Sequence, residues 1–453
     1  MASMDRFDQY KRMLRLGVAG FEILVETVIF TFIWFQLYNV RMERPFENKG
    51  NLMMLGFYVL YQAVFVYMYG GTKYAYYKKG QLILSQTLGM LIANGVMYLQ
   101  IIMVFHVFPF PIVWPMGIAC GADFLVIVAV NLISDKAFWR LFPPKRLLLI
   151  CDEAHRDNLL LKISTRKDLY VVSGCVSSEA PLVELREAIQ NCDAMMLYGL
   201  EEQKRNILLK YCYERSIRIY VAPEVTDILL RGAEGLHTFD TPFLLLRNHG
   251  LSFEQRIMKR AMDLVISFVL LLISSPFMLL TALAIKAEDR GPALFKQERV
   301  TLDGKKFQIY KFRSMIVDAE KDGARFSSKN DDRITKVGKF IRATRLDELP
   351  QLLNILKGDM SVVGPRPERQ QYIEEFCKET PEFIYRLKVK AGLTGYAQIY
   401  GKYNTTPLDK LKLDLMYIES YSIFMDIRLI FLTLKIMFMK ESTEGVEDGQ
   451  NHA

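Results

Sequence analysis

Residues 261–287 read AMDLVISFVLLLISSPFMLLTALAIKA, an apolar run long enough to cross a bilayer as one helix. Pro276 near its midpoint removes a helical hydrogen bond, and Ser275 can satisfy a freed carbonyl group, so a bend is predicted there. Basic residues flank the run on both sides: Arg247, Arg256, Lys259 and Arg260 before it, and Lys286, Arg290, Lys296 and Arg299 at or beyond its end. Since Lys and Arg mark the cytoplasmic flank of a membrane helix, both ends are predicted to lie on one side. We therefore predict a re-entrant helix at about 261–287 with its break at Ser275 and Pro276, the alternative being a fifth complete span.

Four further apolar segments precede this run and have about the 20 residues that a span needs. They cover residues 16–38, 52–70, 82–105 and 112–134. The loops on one side carry eleven Lys and Arg residues against three on the other, which predicts a cytoplasmic N-terminus and a cytoplasmic residue 135. Glu22, Glu26 and Asp123 lie within the spans and are predicted to face the interior of the helix bundle or each other, because an ionised group facing lipid is costly.

The segment 145–231 has a different pattern, in which short buried strands alternate with amphipathic stretches. RLLLIC, LYVVSGCV, DAMMLYG and IRIYVAP are the predicted strands, and this alternation favours a parallel sheet of the Rossmann type. The turn after the first strand reads CDEAHRDN and has no glycine-rich phosphate loop, so a structural, regulatory or dimerising role is favoured over dinucleotide binding. The six cysteines have no metal-ligand spacing and are predicted to be free thiols.

The segment 345–368, RLDELPQLLNILKGDMSVVGPRPE, combines an acidic pair with an arginine between two prolines. Asp347 and Glu348 precede a predicted helix, and taken alone they are typical of an N-cap and a first-turn acid. Adjacent carboxylates can also take different roles in a phosphoryl transfer, in which one acts as the nucleophile and the other binds Mg²⁺. The prolines restrict where the Arg366 guanidinium can point, and arginine suits bidentate phosphate contacts. The segment therefore predicts a phosphate-handling site.

Five ordered motifs resemble the catalytic domain of the large monotopic phosphoglycosyl transferases, the bacterial sugar transferase family. They are SSPF at 274, GPALFKQERV at 291, KFRSM at 311, the segment at 345–368 and GLTGYAQI at 392. The resemblance implies transfer of a sugar 1-phosphate from a UDP-sugar, glucose or galactose first, to undecaprenyl phosphate with release of UMP. It further implies that Asp347 forms a phosphosugar-aspartyl intermediate, that Glu348 binds Mg²⁺ and that Arg366 binds phosphate. This would be the first membrane step of exopolysaccharide or capsule synthesis.

Further basic residues are predicted to neutralise substrate phosphates, although such residues also bind anionic lipid non-specifically. They are Lys286, Lys311, Arg313 and Arg345. Tyr396 stands where many relatives have tryptophan, and a tyrosine can still stack on uracil. The apolar stretches of residues 410–440 are broken by charges, which predicts amphipathic helices in the membrane interface.

The predicted architecture is a four-helix transmembrane bundle at 1–140, a Rossmann-like α/β domain at 145–231, a connector at 232–259, an α-rich monotopic catalytic domain at 260–440 and a polar tail at 441–453. The predicted location is the bacterial inner membrane, with the catalytic domain on the cytoplasmic face in contact with lipid. A homodimer is expected from the resemblance, and nucleic acid is not a predicted partner. Two other functions remain open, a polytopic transporter or flippase and a nucleotide-sensing membrane regulator.

Overall fold

The computed structural model describes residues 4–105, 113–189, 192–236, 240–246, 250–317, 319, 331–401 and 405–438. The chain divides into two compact units, Met1–Ala222 and Pro223–Ala453. The first unit contains four long helices followed by an α/β domain, and the second contains the remaining helices and strands.

The four predicted N-terminal spans are helices that are long and apolar enough to cross a membrane. They are α1 (Met4–Ile33), which continues into a π-helical turn at Trp34–Tyr38, α2 (Asn48–Met68), α3 (Lys79–Phe105) and α4 (Val113–Leu141). Their polar residues lie inside and many apolar ones outside: Gln62, Gln86 and Asn94 are buried, whereas Phe32 and Leu125 are exposed. This inside-out distribution fits helices whose outer surface contacts lipid. The predicted start of the fourth span, Ile112, lies outside the described residues.

The α/β domain confirms the predicted strand and helix alternation. Its strands are β1 (Lys145–Cys151), β2 (Tyr170–Ser177), β3 (Ala194–Leu197) and β4 (Arg218–Val221), and its helices are α5 (Glu153–Ser164), α6 (Leu182–Ile189) and α7 (Glu202–Glu214). All neighbouring strands are parallel, in the order β2-β1-β3-β4. The six cysteines are free thiols, as predicted.

The second unit begins with α8 (Val225–Arg231), which the sequence analysis assigned to the Rossmann-like segment. Here α8 packs on α14 (Pro407–Glu419), and Lys412 Nζ lies 3.5 Å from Glu224 Oε2 just before α8 begins. A short antiparallel pair follows, β5 (Glu234–Leu236) and β6 (Phe243–Leu245). The other proposed domain boundaries stay predictions.

The core of the second unit contains strands that the expectation of an α-rich domain did not include. An antiparallel hairpin is formed by β7 (Leu294–Val300) and β8 (Lys306–Phe312), and a parallel pair by β9 (Ser361–Val363) and β10 (Gly392–Thr394). The remaining helices are α9 (Phe253–Asp289), α10 (Lys336–Ala343), α11 (Gln351–Lys357), α12 (Gln370–Glu379), α13 (Tyr396–Tyr400) and α15 (Ile423–Met437). One main hydrophobic core joins the strands to α11, α12, α14 and α15.

Helix α9 contains the predicted re-entrant segment and contacts the rest of the second unit near both ends. Towards its N-terminus, Lys259 Nζ pairs with Asp426 Oδ2 at 2.6 Å, and Asp263 Oδ1 accepts hydrogen bonds of 2.9 Å from the Ser361 hydroxyl and the Val362 backbone. At its C-terminus, Ile285 is buried against Phe312 and Ile341. Between these ends, apolar side chains are exposed, among them Phe268, Leu272, Ile273, Phe277 and Leu280.

The helical hydrogen-bond pattern of α9 continues through the predicted break, with Pro276 inside the helix. The Ser275 hydroxyl donates to the Leu272 carbonyl at 2.9 Å, so the serine does bond a backbone carbonyl in this turn. Pro276 supplies no amide hydrogen, which leaves this turn one hydrogen bond short. The helix is therefore continuous at Ser275 and Pro276, and its re-entrant course stays a prediction.

The amphipathic prediction implied that the charged residues of the C-terminal region lie on a polar surface, but two of them do not. Asp414 and Asp426 are buried in ion pairs with Arg386 and Lys259. Exposed apolar residues occur instead on α15 and just after it, namely Phe424, Leu434, Met437 and Phe438. The charges therefore hold α14 and α15 to the core.

Candidate active site

The acidic pair lies in a 3-10 turn, Leu346–Glu348, directly before α11. Pro350 occupies the N-cap position of α11. Asp347 is therefore not the N-cap of this helix, which is the role that the acidic pair taken alone suggested. Arg345 enters the turn with φ +58, a left-handed conformation that is uncommon for residues other than glycine. Such strain persists only where the surrounding fold imposes it, and it often occurs at functional sites.

Glu348 is held among positive charges. Its Oε1 lies 3.5 Å from Lys311 Nζ and 3.8 Å from Arg366 Nη2. Burial raises the pKa of Glu348, but the charges of Lys311, Arg366 and Arg345 outweigh it and lower the pKa to about 2. Glu348 is therefore an ionised carboxylate at neutral pH.

Asp347 has the opposite electrostatic environment. Burial raises its pKa to about 6, and the negative charge of Glu348 adds to the rise. Its Oδ1 is buried and has no hydrogen-bond partner among the described residues. Two adjacent carboxyl groups thus have pKa values pushed apart, the pattern expected when two acids have different chemical tasks.

A small polar recess, open to solvent, lies beside this pair. Two predicted phosphate ligands, Lys311 and Arg366, line it together with Glu348. It is also lined by residues that the sequence analysis did not single out, among them Arg299, Gln351 and Gln398. Arg299 and Gln398 belong to two of the recognised motifs, but only the fold shows that these motifs converge.

Close backbone packing fixes the two sides of the recess. A side-chain carbon added to Gly392 would lie 2.1 Å from the Gly364 nitrogen, and one added to Gly395 would lie 2.1 Å from the Gly364 oxygen. The Gly364 amide also donates to the Thr394 carbonyl at 2.8 Å. The segment that carries Arg366 therefore lies in direct contact with the segment that leads to Gln398, an approach that only glycine permits.

A buried cluster of ion pairs holds the backbone of Arg366 in place. Arg386 donates from Nη2 to the Arg366 carbonyl at 3.0 Å and lies 2.8 Å from Asp414 Oδ2. Glu368, the last residue of the GPRPE sequence, pairs with Lys410 and lies 3.8 Å from Arg386 Nη1. Burial raises the pKa of Glu368, but the charges of Lys410 and Arg386 outweigh it and lower the pKa to about 2. This cluster was not identified from the sequence.

Four predicted binding residues are not lining residues of the recess. Arg313 is buried and forms an ion pair with Asp289 at the end of α9, so it holds the hairpin to this helix. Lys286 is exposed in the last turn of α9. Tyr396 opens α13 and packs against Tyr400, with 4.5 Å between ring centroids. Arg345 does act on Glu348 electrostatically, as expected of a residue near the site.

The site has the donor atoms that Mg²⁺ prefers. No group of three or more His, Cys, Asp or Glu side chains suited to a metal ion occurs within the described ranges. Mg²⁺, however, is commonly bound by one or two carboxylates together with substrate phosphates and water. Glu348 is ionised and Asp347 Oδ1 is unpartnered, so the residues present fit an ion that substrate phosphates help to bind.

The sequence that forms this site matches a known family of sugar transferases. The profile of the bacterial sugar transferase family matches residues 254–440, which cover α9, the hairpin and the acidic pair. A putative undecaprenyl-phosphate N-acetylgalactosaminyl 1-phosphate transferase of Bacillus subtilis is 51% identical over 129 residues, 28% of this chain and 72% of that protein. The UDP-glucose:undecaprenyl-phosphate glucose-1-phosphate transferase of Caulobacter vibrioides is 40% identical over 181 residues, 39% of this chain and 68% of that protein.

The chain belongs to the bacterial sugar transferase family. The similarity to longer relatives covers a smaller share of their length. A UDP-N-acetylgalactosamine-undecaprenyl-phosphate N-acetylgalactosaminephosphotransferase of Aeromonas hydrophila is 43% identical over 180 residues, 39% of this chain and 43% of that protein. The match to the family profile lies within the second unit, which also contains the candidate site.

Proposed function

We propose that this protein transfers a sugar 1-phosphate from a UDP-sugar to undecaprenyl phosphate and releases UMP. The observation that carries the proposal is the acidic pair, with an unpartnered Asp347 oxygen beside a Glu348 held by Lys311 and Arg366. The names of the relatives support these substrate classes and include glucose and N-acetylgalactosamine as the sugar. We keep glucose and galactose as the first choices and place the reaction at the first membrane step of exopolysaccharide or capsule synthesis.

In the proposed reaction Asp347 acts as the nucleophile. One oxygen of its carboxylate forms a bond to the sugar-linked phosphorus, while the bond from that phosphorus to the bridging oxygen breaks and UMP leaves with the electron pair. An oxygen of undecaprenyl phosphate then attacks the same phosphorus, and the Asp347 carboxylate is released. The two half-reactions predict ping-pong kinetics.

The basic residues of the recess would stabilise the negative charge of the substrates. Lys311, Arg366 and Arg299 line the same recess, and an arginine fork suits a phosphate group. Glu348, with Asp347 beside it, would hold Mg²⁺, which when bound supplies charge neutralisation to the diphosphate. The position of Arg366 depends on Arg386, which binds its carbonyl.

We further propose that α9 is re-entrant and that the site lies at the cytoplasmic surface of the bacterial inner membrane. Both ends of α9 bind the same folded unit, whereas its middle exposes apolar side chains. A 37-residue helix is about 55 Å long if straight, well beyond the hydrocarbon thickness of about 30 Å. A bend at Pro276 allows the exposed middle to enter lipid while both ends stay on one side. A homodimer remains a prediction from the resemblance.

The function is tested with the full-length protein, Mg²⁺, undecaprenyl phosphate and a panel of UDP-sugars, with UMP release as the measurement. Turnover is expected with at least one sugar, and chelation of Mg²⁺ is expected to abolish it. A transporter or a regulator would give no UMP above an Asp347→Asn control with any sugar in a broad panel, and that result would reject the transferase proposal.

The pH dependence of the first half-reaction follows from the pKa of Asp347. A nucleophilic carboxylate must be ionised, so the UMP burst rate is expected to be constant above pH 7 and to fall as the pH drops through about 6. The burst is measured without undecaprenyl phosphate, because a phosphate monoester itself titrates near pH 6. A burst rate that stays unchanged down to pH 5 would contradict the environment assigned to Asp347.

The topology is tested by single cysteine substitutions and a membrane-impermeant maleimide in spheroplasts. Glu43→Cys is expected to react, whereas Lys136→Cys and Asp303→Cys are expected to react only after permeabilisation, since positive-inside flanks place them in the cytoplasm. The unsubstituted protein gives the baseline, because its six native cysteines are free thiols. Labelling of Asp303→Cys in intact spheroplasts would mean that α9 crosses the membrane completely.

A further inference from the structure

Three carboxyl groups are buried among the first four helices. Glu22 and Glu26 lie one turn apart on α1, and Asp123 lies on α4, each with at most 2% of its surface exposed. No Lys or Arg is among the described groups that act electrostatically on any of the three. Acids without a basic partner are costly at such a position and indicate a functional site.

Two of the three acids are satisfied in part by neutral donors. Glu22 Oε2 accepts from the Tyr74 hydroxyl and, at 2.9 Å, from Gln86 Nε2. Asp123 Oδ2 accepts from the Tyr58 hydroxyl at 3.0 Å and from Asn94 Nδ2 at 2.9 Å. These bonds orient the Asp123 carboxylate and leave its other oxygen, Oδ1, without a donor among the described residues.

Four buried carboxyl and amide oxygen atoms lack a donor in this part of the described structure: Glu26 Oε1, Glu26 Oε2, Asp123 Oδ1 and Gln62 Oε1. The neighbouring amide donors are already engaged, since Gln62 Nε2 bonds the Tyr58 hydroxyl at 3.0 Å and Asn94 Oδ1 at 3.3 Å. Buried acceptors are normally paired, so an excess of oxygen atoms over donors indicates a further partner, either a bound cation or a proton on a carboxyl group.

The helix register places the residues that carry these oxygen atoms at neighbouring positions. Trp34 Nε1 bonds Asn51 Oδ1 at 2.8 Å, and one turn earlier on α1 the Phe30 ring stacks on Tyr58 with 4.1 Å between centroids. These pairs show that α1 and α2 run antiparallel, so the next turn of each helix places Glu26 level with Gln62. Glu26 also interacts electrostatically with Asp123 and Tyr58. Its carboxyl group therefore faces the space between α1, α2 and α4.

We propose that Glu26, Asp123 and Gln62 bind one partly dehydrated monovalent cation of the sodium class. A small hard cation is coordinated by oxygen atoms and needs no hydrogen-bond donor from the protein. It would also offset carboxylate charge, which a water molecule does not. Calcium takes six to eight oxygen ligands, and magnesium gives up its water molecules reluctantly, so a monovalent ion fits four buried oxygen atoms better. This site is independent of the transfer reaction.

The test is thermal unfolding of the full-length protein in nanodiscs, with sodium chloride compared to choline chloride at equal ionic strength. Sodium is expected to raise the unfolding midpoint by about 2–4 °C in a saturable manner, because a ligand that binds only the folded state stabilises it. Equilibrium binding of radioactive sodium is expected to reach one ion per chain. Equal unfolding midpoints in both salts, together with no sodium binding, would mean that protons alone neutralise the site. That result would reject the proposal.

Two matched variants locate the ion. Glu26→Gln is expected to remove both the sodium-dependent shift and the tracer binding. Glu22→Gln alters an acid on the same helix whose Oε2 already has two donors, and it should keep both. If Glu26→Gln does not fold, Asp123→Asn replaces it, and the unsubstituted protein still decides whether sodium binds. Binding that Glu22→Gln abolishes and Glu26→Gln retains would overturn the assignment.

Discussion

Asp347→Asn is expected to lower sugar phosphate transfer by roughly 10³ to 10⁶-fold, the range seen when a covalent nucleophile is removed. The fold should survive the change, because the pKa of Asp347 is raised to about 6 by burial and by Glu348. A carboxyl group with a raised pKa makes the folded protein less stable once it is ionised, so at neutral pH the neutral amide should leave the unfolding midpoint unchanged or higher. Activity and thermal unfolding measured on the same preparation check both parts.

A labelled UDP-sugar separates the nucleophile from a residue that merely binds substrate. Without undecaprenyl phosphate, the unsubstituted protein should retain one labelled sugar phosphate per chain after denaturation, and hydroxylamine should release it as expected for an acyl phosphate. Asp347→Asn should retain none. Asp332→Asn, which alters an exposed acid in the same unit, serves as the matched control and should behave as the unsubstituted protein. Label retained by Asp347→Asn would assign the covalent step to another residue.

Arg386→Met is expected to destabilise the second unit by about 3–5 kcal/mol, the usual cost of removing one partner from a buried ion pair. Arg386 is 2% exposed, and its loss leaves Asp414 without its guanidinium partner. The Arg366 carbonyl also loses a hydrogen bond, so substrate affinity should fall even below the unfolding temperature. Chemical denaturation and the KM for the UDP-sugar are the two measurements.

Two comparisons show whether burial is the reason for this loss. Adding Asp414→Leu to Arg386→Met should recover part of the stability, because an apolar pair avoids the uncompensated charge. Lys306→Met breaks an exposed ion pair with Glu298 in the same unit and should cost less than about 1 kcal/mol. Equal losses in Arg386→Met and Lys306→Met would show that the buried cluster contributes no more than a surface pair.

The sequence was most informative where a local pattern is sufficient. Twenty-residue apolar runs predicted the four N-terminal helices, and short apolar runs between amphipathic stretches predicted the parallel sheet. The spacing of the acidic pair and the GPRP turn predicted that these motifs act together, and the fold brings Glu348 and Arg366 within 3.8 Å. Each of these inferences uses residues that are near one another in the chain.

The sequence was least informative where a charge finds a distant partner. Lys311 points to the recess, whereas Arg313 follows the end of β8 and pairs with Asp289 instead. Asp426 interrupts an apolar stretch and therefore suggests a polar surface, yet it is buried against Lys259, which lies 167 residues earlier. Local patterns cannot distinguish a charge in water from a charge in a buried pair, because the difference depends on tertiary contacts.

If α9 is re-entrant as proposed, its attachment near both ends would also determine how the protein tolerates different lipids. A complete span must match the hydrocarbon thickness, and a mismatch costs a fraction of a kcal/mol per Å. A helix that returns to its own side has no far end to match, so in the proposed arrangement the penetration depth of α9 is set by the protein. The reaction recess would then stay at the same height above the lipid in thin and thick bilayers, while α1 to α4 adjust by tilting.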